Sequence, residues 1–306
     1  MGYLLFRSSS ALFFACLMML NGCSQHQAEV DQQLIKILLE TNHQSTTASN
    51  SHKSDISINP EESSPPQSKH AFKRPLSIVL RVGLISQSPP KNLRVRSEGI
   101  CMRQSGIVLN EIQLVHILKT SKPGFVQCST TSPLGIMVNG QAYMGQVDLI
   151  NRGKGWIAVN KINIENYVAS VVGAEMPSSW HIEALKAQAV AARSYALAHM
   201  ARSADGDFDL GDTTRWQAYS GLSSQTARTL QATDATQGIV LSYRGGIVES
   251  LYAATGAISQ EAHGHLGASM SQHGAQALAK QELRFDQILS RYYRGAQLAR
   301  LQSRDN

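Results

Sequence analysis

Two patterns of apolar and polar positions divide the chain. From Leu76 to about Ile164 the apolar runs are short and broken by turn residues: Ile78–Leu84, Gly106–Leu109, Gly135–Val138, Tyr143–Ile150 and Gly155–Val159. Asn139-Gly140 and Arg152–Gly155 separate some of these runs, and Asn-Gly between apolar segments is a hairpin signal. This half is expected to be mostly antiparallel β. After it the spacing turns helical. Ser179 reads as an N-cap, with Glu183 in the first turn, for a helix running to about Arg202. Its Ile182, Leu185, Ala189, Ala192 and Ala196 fall on one face, and the alanines allow a neighbouring element to approach closely. Ser224–Gln237 and Met270–Lys280 also read as helices, and Ile239–Tyr243 with Ile247–Ala253 as a hairpin turning at Arg244-Gly245-Gly246. The fold class expected is therefore α+β: one domain over residues 76–296, with an antiparallel β-rich N-terminal half, a mixed helix and hairpin C-terminal half, and a tail at 297–306.

The first 75 residues follow another logic. Arg7 precedes the ten-residue apolar run Ala11–Leu20, too short to span a bilayer as a helix and suited to the apolar region of a secretion signal. The run ends in Leu20-Asn21-Gly22-Cys23, which resembles a bacterial lipobox. That resemblance implies a signal peptide at 1–22, lipidation of Cys23, and a lipoprotein of the cell envelope, membrane-anchored and facing the periplasm or cell wall. The alternative is an ordinary signal peptide with a chance cysteine. In the segment 23–75, Val30, Leu34, Ile37 and Leu38 have the spacing of a short amphipathic helix. Thr41 to about His70 is a linker by composition, rich in Ser, Thr, Asn and Pro, and about 30 flexible residues reach roughly 30 Å.

Composition narrows the class without choosing the chemistry. The 306 residues are 42% hydrophobic, 16% charged and 6% aromatic, which suits a globular domain carrying a polar segment. Removing residues 1–22 takes away Arg7 and no acid, so the formal charge falls from +6 to +5. This modest excess favours anionic surroundings. No zinc finger, Arg-rich arm or basic run with interleaved aromatics is present, so nucleic acid is discounted as a partner. Of the four cysteines, Cys16 leaves with the signal and Cys23 takes the lipid. Cys101 and Cys128 remain, an even pair that outside the cytoplasm can form one disulfide; two separate buried thiols are the alternative.

The residue singled out for chemistry is Glu175. It follows the apolar run Val168–Ala174 and precedes Met176-Pro177, so it lies where a strand or helix ends against a fixed turn. An apolar setting raises a carboxyl pKa by disfavouring the charged form. The competing reading is a partly buried glutamate beside the helix that starts near Ser179.

Four segments carry a family resemblance: Val172-Gly173-Ala174-Glu175-Met176-Pro177, the helix Ala184–Ala196, the loop Asp212-Thr213-Thr214 with Gln217 and Tyr219, and Met270-Ser271-Gln272 with Gly274-Ala275. In this order they resemble the stage II sporulation protein D (SpoIID/LytB) domain family, over about residues 76–296. The resemblance implies a peptidoglycan lytic transglycosylase that cleaves the β-1,4 bond between N-acetylmuramic acid (MurNAc) and N-acetylglucosamine (GlcNAc), leaving 1,6-anhydro ends, with Glu175 catalytic. It equally admits a non-catalytic wall-binding module that recruits or stimulates an amidase. The implied partners are glycan strands, the membrane through the lipid anchor, and a cell-wall amidase.

One carboxylate is enough for the first reading. A glycosidase needs a second to activate water or attack carbon, whereas here the sugar's own 6-hydroxyl attacks and one group serves as acid and then base. Arg193, Gln217, Tyr219, His265, Ser271 and Gln272 are the candidate substrate-binding residues. Arg193 could fork a wall carboxylate, against the alternative of an internal ion pair; Asp212–Thr214 suit an Asx-type turn that shapes a loop. The sequence departs from the family in two places. Cysteines that hold zinc around the loop in some members are absent, with Gly211 and Trp216 in that neighbourhood, and His263, His265 and His273 lack a defined third ligand. No metal and no cofactor are therefore expected. Tyr252 and Met270 are only 18 positions apart, a contraction relative to longer members that implies a smaller wall around the cleft.

Overall fold

The computed structural model describes residues 77–95, 99–203, 205–263 and 268–301. The signal, Cys23, the expected short helix and the linker lie outside them, as does His265.

The first half is a set of short strands with one helix: β1 (Val79–Gly83), β2 (Leu93–Val95), β3 (Gly99–Arg103), β4 (Val108–Leu109), α1 (Glu111–Leu118), β5 (Gly124–Thr130), β6 (Ile136–Val138), β7 (Gln141–Tyr143), β8 (Gln146–Asn151) and β9 (Trp156–Asn163). Helix α1 has no counterpart in the apolar pattern, because it buries only Leu114 and Ile117; Asn110 and Gln113 start it with a reciprocal capping box. The run Tyr143–Ile150 is two strands rather than one. Gly145 breaks it at φ +83°, and a side chain there would meet the Lys161 carbonyl oxygen at 2.4 Å.

The second half comprises α2 (Ile164–Glu175), α3 (Ile182–Arg202), β10 (Leu210–Gly211), α4 (Ala227–Ala235), β11 (Ile239–Tyr243), β12 (Gly246–Ile247), β13 (Leu251–Ala253), α5 (Gly256–His263), β14 (Ser269–Ser271), α6 (Gln272–Lys280), α7 (Phe285–Tyr292) and β15 (Gln297–Arg300). Seven strands form the main sheet in the order β10-β1-β9-β8-β5-β3-β4. All its pairings are antiparallel except β1 with β10. The molecule is α+β, and strands and helices share one core that runs from Leu80 and Val82 in β1 to Ile288 and Leu289 in α7.

Helix α3 is the axis of the second half. From Ala184 to Ala198 every residue but Lys186 is buried, so the helix is enclosed all round rather than amphipathic. Helices α2, α4, α6 and α7 and strand β11 pack on it, and its alanines let them approach closely. It begins at Ile182 with His181 as N-cap, not at Ser179. The preceding residues form a turn in which Trp180 N–H donates to Pro177 O, and Arg228 donates to the carbonyls of Ser178 and Trp180. The hairpin expected at 239–253 is shorter than its pattern. Only β12 pairs back onto β11, while β13 pairs in parallel with β14. The other neighbour of β11 is β15, so ordered sheet continues past residue 296.

Candidate active site

Glu175 is the last residue of α2, and the sequence sets that end. Asn163 starts the helix by accepting from Glu165 N–H at 2.9 Å. Pro177 stops it: the residue before a proline is driven out of the helical region, and Met176 is extended at φ −131°, ψ 143°. One turn earlier, Gly173 lets the helix touch the loop opposite, since a Cβ there would lie 1.8 Å from the Ser224 carbonyl oxygen. The glutamate is thus fixed at a helix end that is itself pressed against the loop that follows β10.

Two neutral donors meet its carboxyl. Ala218 N–H donates to Oε1 at 2.8 Å and Gln272 Nε2 to Oε2 at 3.2 Å. Burial pushes the Glu175 carboxyl above its ordinary value, more than the hydrogen bonds from Ala218 and Gln272 pull it down. Its place at the negative end of the α2 dipole acts in the same direction. The side chain is half-buried, so it remains reachable.

The donors come from segments far apart in sequence. The loop following β10 supplies Ala218, and the β14–α6 junction supplies Gln272. Beside them, Trp180 and His273 meet edge to face with ring centres 4.8 Å apart, and Gln276 accepts from His181 N–H at 2.8 Å. Three of the four sequence segments therefore converge at Glu175, and the fourth, α3, is the post behind them.

The other candidates fall into different places. Gln272 touches Glu175 directly. Ser271 is buried and caps α6, accepting from Gly274 N–H at 3.0 Å. Gln217 is fully buried: it accepts from Tyr167 and donates to Ala192 O and to Tyr252. Tyr219 is buried and donates to Asn160 at 2.6 Å, with its ring tilted against Tyr167 at 5.0 Å. Gln217 and Tyr219 are thus committed to the interior rather than presented to a ligand. Asp212 shapes its loop by accepting from Ser86 N–H at 2.9 Å and from the Ser86 hydroxyl; burial raises its carboxyl as well.

Arg193 is a correction to the wall-carboxylate reading. It has no exposed surface, and its guanidinium donates to Glu165 at 2.5–3.2 Å and to Ile239 O at 3.0 Å. Glu165 lies ten residues before Glu175 on α2, about 15 Å at 1.5 Å per residue, so this pair sits at the opposite end of the helix. Cys101 and Cys128, facing each other on β3 and β5, are joined by a disulfide. An open concavity of about 480 Å³ lined by Arg103, Ile107, Leu109, Ile112, Gln113, His116 and Ile117 lies by α1. It shares no residue with the Glu175 neighbourhood, and its lining offers no carboxyl.

Sequence reasoning passed over Tyr252, Ala218 and Tyr167. A backbone N–H carries no sequence signal, and Tyr252 read as an ordinary strand residue. The available hint was its place in the short stretch before Met270-Ser271-Gln272, where a contracted connection keeps it beside the motif.

Residues 152–243 match the SpoIID family, described as stage II sporulation protein. An uncharacterized protein of Brachyspira hyodysenteriae is 39% identical over 121 residues, covering 39% of this chain and 33% of that protein. The amidase enhancer of Bacillus subtilis is 39% identical over 85 residues, 28% of this chain and 11% of its own. Stage II sporulation protein D of Bacillus subtilis is 33% identical over 113 residues, 32% of this chain and 33% of its own. The chain spans a third or less of the length of these curated relatives.

Proposed function

We propose, from the premise that this chain carries a domain of the SpoIID family, that it acts on the glycan strands of peptidoglycan with Glu175 as acid and then base. The observation that carries the reading is the state of that carboxyl. It is half-buried, raised above its ordinary value, and surrounded by neutral donors. A carboxyl of this kind keeps its proton nearer to neutrality than a solvated one, as a general acid requires. In the proposed reaction Glu175 protonates the oxygen linking MurNAc C1 to GlcNAc, and the C1–O bond breaks. The carboxylate then takes the proton of the MurNAc 6-hydroxyl as its oxygen bonds to C1. The 1,6-anhydro end forms, no water is consumed, and Glu175 regains its proton.

Mass spectrometry of purified glycan strands, intact and peptide-free, tests this after incubation with the full chain. Products should carry 1,6-anhydro ends, and Glu175→Gln should lower their rate by about 10²–10⁴-fold with retained melting behaviour. The parent rate should fall as pH rises through the raised Glu175 value, because the reaction starts from the protonated form. Reducing MurNAc ends would mean hydrolysis and overturn the mechanism.

A second reading is favoured by one observation, the stretch of 85 residues shared with a protein named amidase enhancer. Under it the chain binds the wall and stimulates an amidase. Absence of any cleavage by the parent, with acceleration of an added amidase, would put that reading first.

A further inference from the structure

We infer that Trp180 and His273 form a sugar-binding ledge beside Glu175, against which the ring face of an N-acetylated pyranose lies. The inference depends on glycan being the ligand of the site, as proposed above, and not on its cleavage. The pair joins the two segments that hold the carboxyl. Trp180 belongs to the turn that leaves α2 at Glu175, and His273 follows Gln272, whose side chain grips Oε2 at 3.2 Å. The two rings meet edge to face with centres 4.8 Å apart. Such a contact uses at most one face of one ring. His273 is exposed and Trp180 half-buried, so ring surface is left for a third body.

The surrounding bonds hold this tryptophan still. Its N–H donates to Pro177 O at 3.0 Å, Arg228 donates to Ser178 O at 2.8 Å and to Trp180 O at 2.7 Å, and His181 N–H donates to Gln276 at 2.8 Å. Side chains of α4 and α6 thus pin the turn from two sides. A tryptophan that serves packing alone is sealed in, and Trp156 is the example in this chain: it is 5% exposed, and its indole N–H donates to Thr120 O at 2.9 Å. The Trp180 indole N–H differs. It has no acceptor among the described residues, and it is not sealed from solvent. An aromatic face together with an available N–H matches an N-acetyl sugar. In a β-1,4-linked GlcNAc or MurNAc ring the substituents are equatorial, so each ring face presents only C–H bonds. These meet the electron-rich face of an aromatic ring, while the acetamido oxygen accepts from the indole N–H. Part of Trp180 also packs on the common core, so the test has to separate packing from binding.

The experiment uses the full chain with Glu175→Gln, so that bound glycan is not turned over. Affinity is measured by calorimetry for two probes: peptide-free glycan strands, and a short β-1,4-linked GlcNAc oligomer that carries neither lactyl group nor peptide. Trp180→Leu should weaken both about tenfold, equal to about 1.4 kcal/mol and of the order of one aromatic contact. Trp180→Phe should weaken them less, because it keeps a ring while losing the indole N–H. Unchanged affinity in a folded Trp180→Leu chain overturns the inference, as does the absence of measurable binding to either probe. Should that variant fail to fold, the indole ¹⁵N–¹H resonances of the Glu175→Gln chain decide. Saturation with the oligomer should shift the Trp180 resonance and leave that of Trp156 in place; an unmoved Trp180 resonance overturns the inference. The ledge and the lytic reading can fail separately. Binding that depends on Trp180, in a chain whose parent yields no product, keeps the ledge and removes the lytic reading. Anhydro ends from the parent, with binding indifferent to Trp180, do the reverse.

Discussion

The two halves of this domain handle buried polar groups in opposite ways. Among the described residues, the strand-rich half up to Asn163 buries few polar side chains, namely Asp148, Asn151 and Asn160. The second half buries many, including Gln188, Arg193, Ser194, Asp212, Gln217, Ser250 and Gln272. The difference follows from the backbone. A ladder such as β5-β8-β9 satisfies its own N–H and C=O groups, which frees the inward side chains to be apolar. The irregular stretches between helices have no ladder, so side chains must serve them. Ser170 donates to Gly221 O, Arg228 donates to Ser178 O and Trp180 O, and Glu165 accepts from Gly238 N–H. Once loops are held by side chains, a site is a small step further: Ala218 N–H finds its partner in Glu175. The half with the less regular backbone is therefore the half that holds the candidate site.

The sharpest way to break this comparison is at the pair that ties α2 to α3. Arg193 is fully buried and the Glu165 side chain is 16% exposed, and Glu165 also accepts from Gly238 N–H at 3.1 Å. Removing one partner leaves a charge without its counter-ion, a loss of about 3–5 kcal/mol. Arg193→Ala should show it in urea unfolding, whereas Arg193→Met combined with Glu165→Gln should recover much of the loss. A single substitution costing less than about 1 kcal/mol would mean that the second half does not depend on its buried polar groups.

That dependence also explains what could be read without the structure. The β half was legible as short runs with turns because alternation and Asn-Gly act locally; where it was misread, at 143–150, a single glycine with positive φ had split a continuous apolar run. Glu175 was legible because Pro177 fixes the helix end from two residues away. Gln217 and Tyr219 were picked out by their motif, yet their role is inward, and no local pattern separates a glutamine facing a ligand from one locked against Tyr167 and Ala192. Arg193 is the same case: its partner lies 28 residues earlier, on another helix, and pairing at that range is a property of packing. Tyr252 went unseen because its partners are a backbone-held loop and a side chain remote in sequence.

The first half has its own tie, and it is covalent. Cys101 and Cys128 close a loop spanning 27 positions, for which chain-entropy arguments give about 3 kcal/mol. Replacing both by alanine should lower unfolding stability by roughly that amount while leaving the midpoint of Glu175 in a ¹³C-carboxyl NMR titration where it is in the parent. A shift of that midpoint would show that the two halves are coupled more closely than their bonding indicates.

The smallest expected effect sits at the far end of α3, where an ion pair of the same composition as Arg193–Glu165 lies half in solvent. Glu249 accepts from His199 at 3.1 Å and pairs with Arg202. The hydrogen bond from His199, followed by that from Arg202, holds its carboxyl down from 4.5 to about 2. Because the folded value is depressed, the stability it contributes is present above the unfolded value near 4.5 and is lost as pH falls through about 2. With roughly a third of the Glu249 side chain exposed, solvent screens the pair, and the contribution at neutral pH should be no more than about 1 kcal/mol. Glu249→Gln should therefore lower stability slightly at pH 6 and progressively less as pH falls toward about 2, and high salt should shrink the difference at pH 6. The same salt titration on Arg193→Ala should change its much larger loss little, since a mostly buried pair is screened much less than an exposed one. If salt instead removes both losses equally, burial is not what distinguishes the two pairs, and the contrast between an interior built on polar contacts and a surface merely decorated with them fails on a single helix.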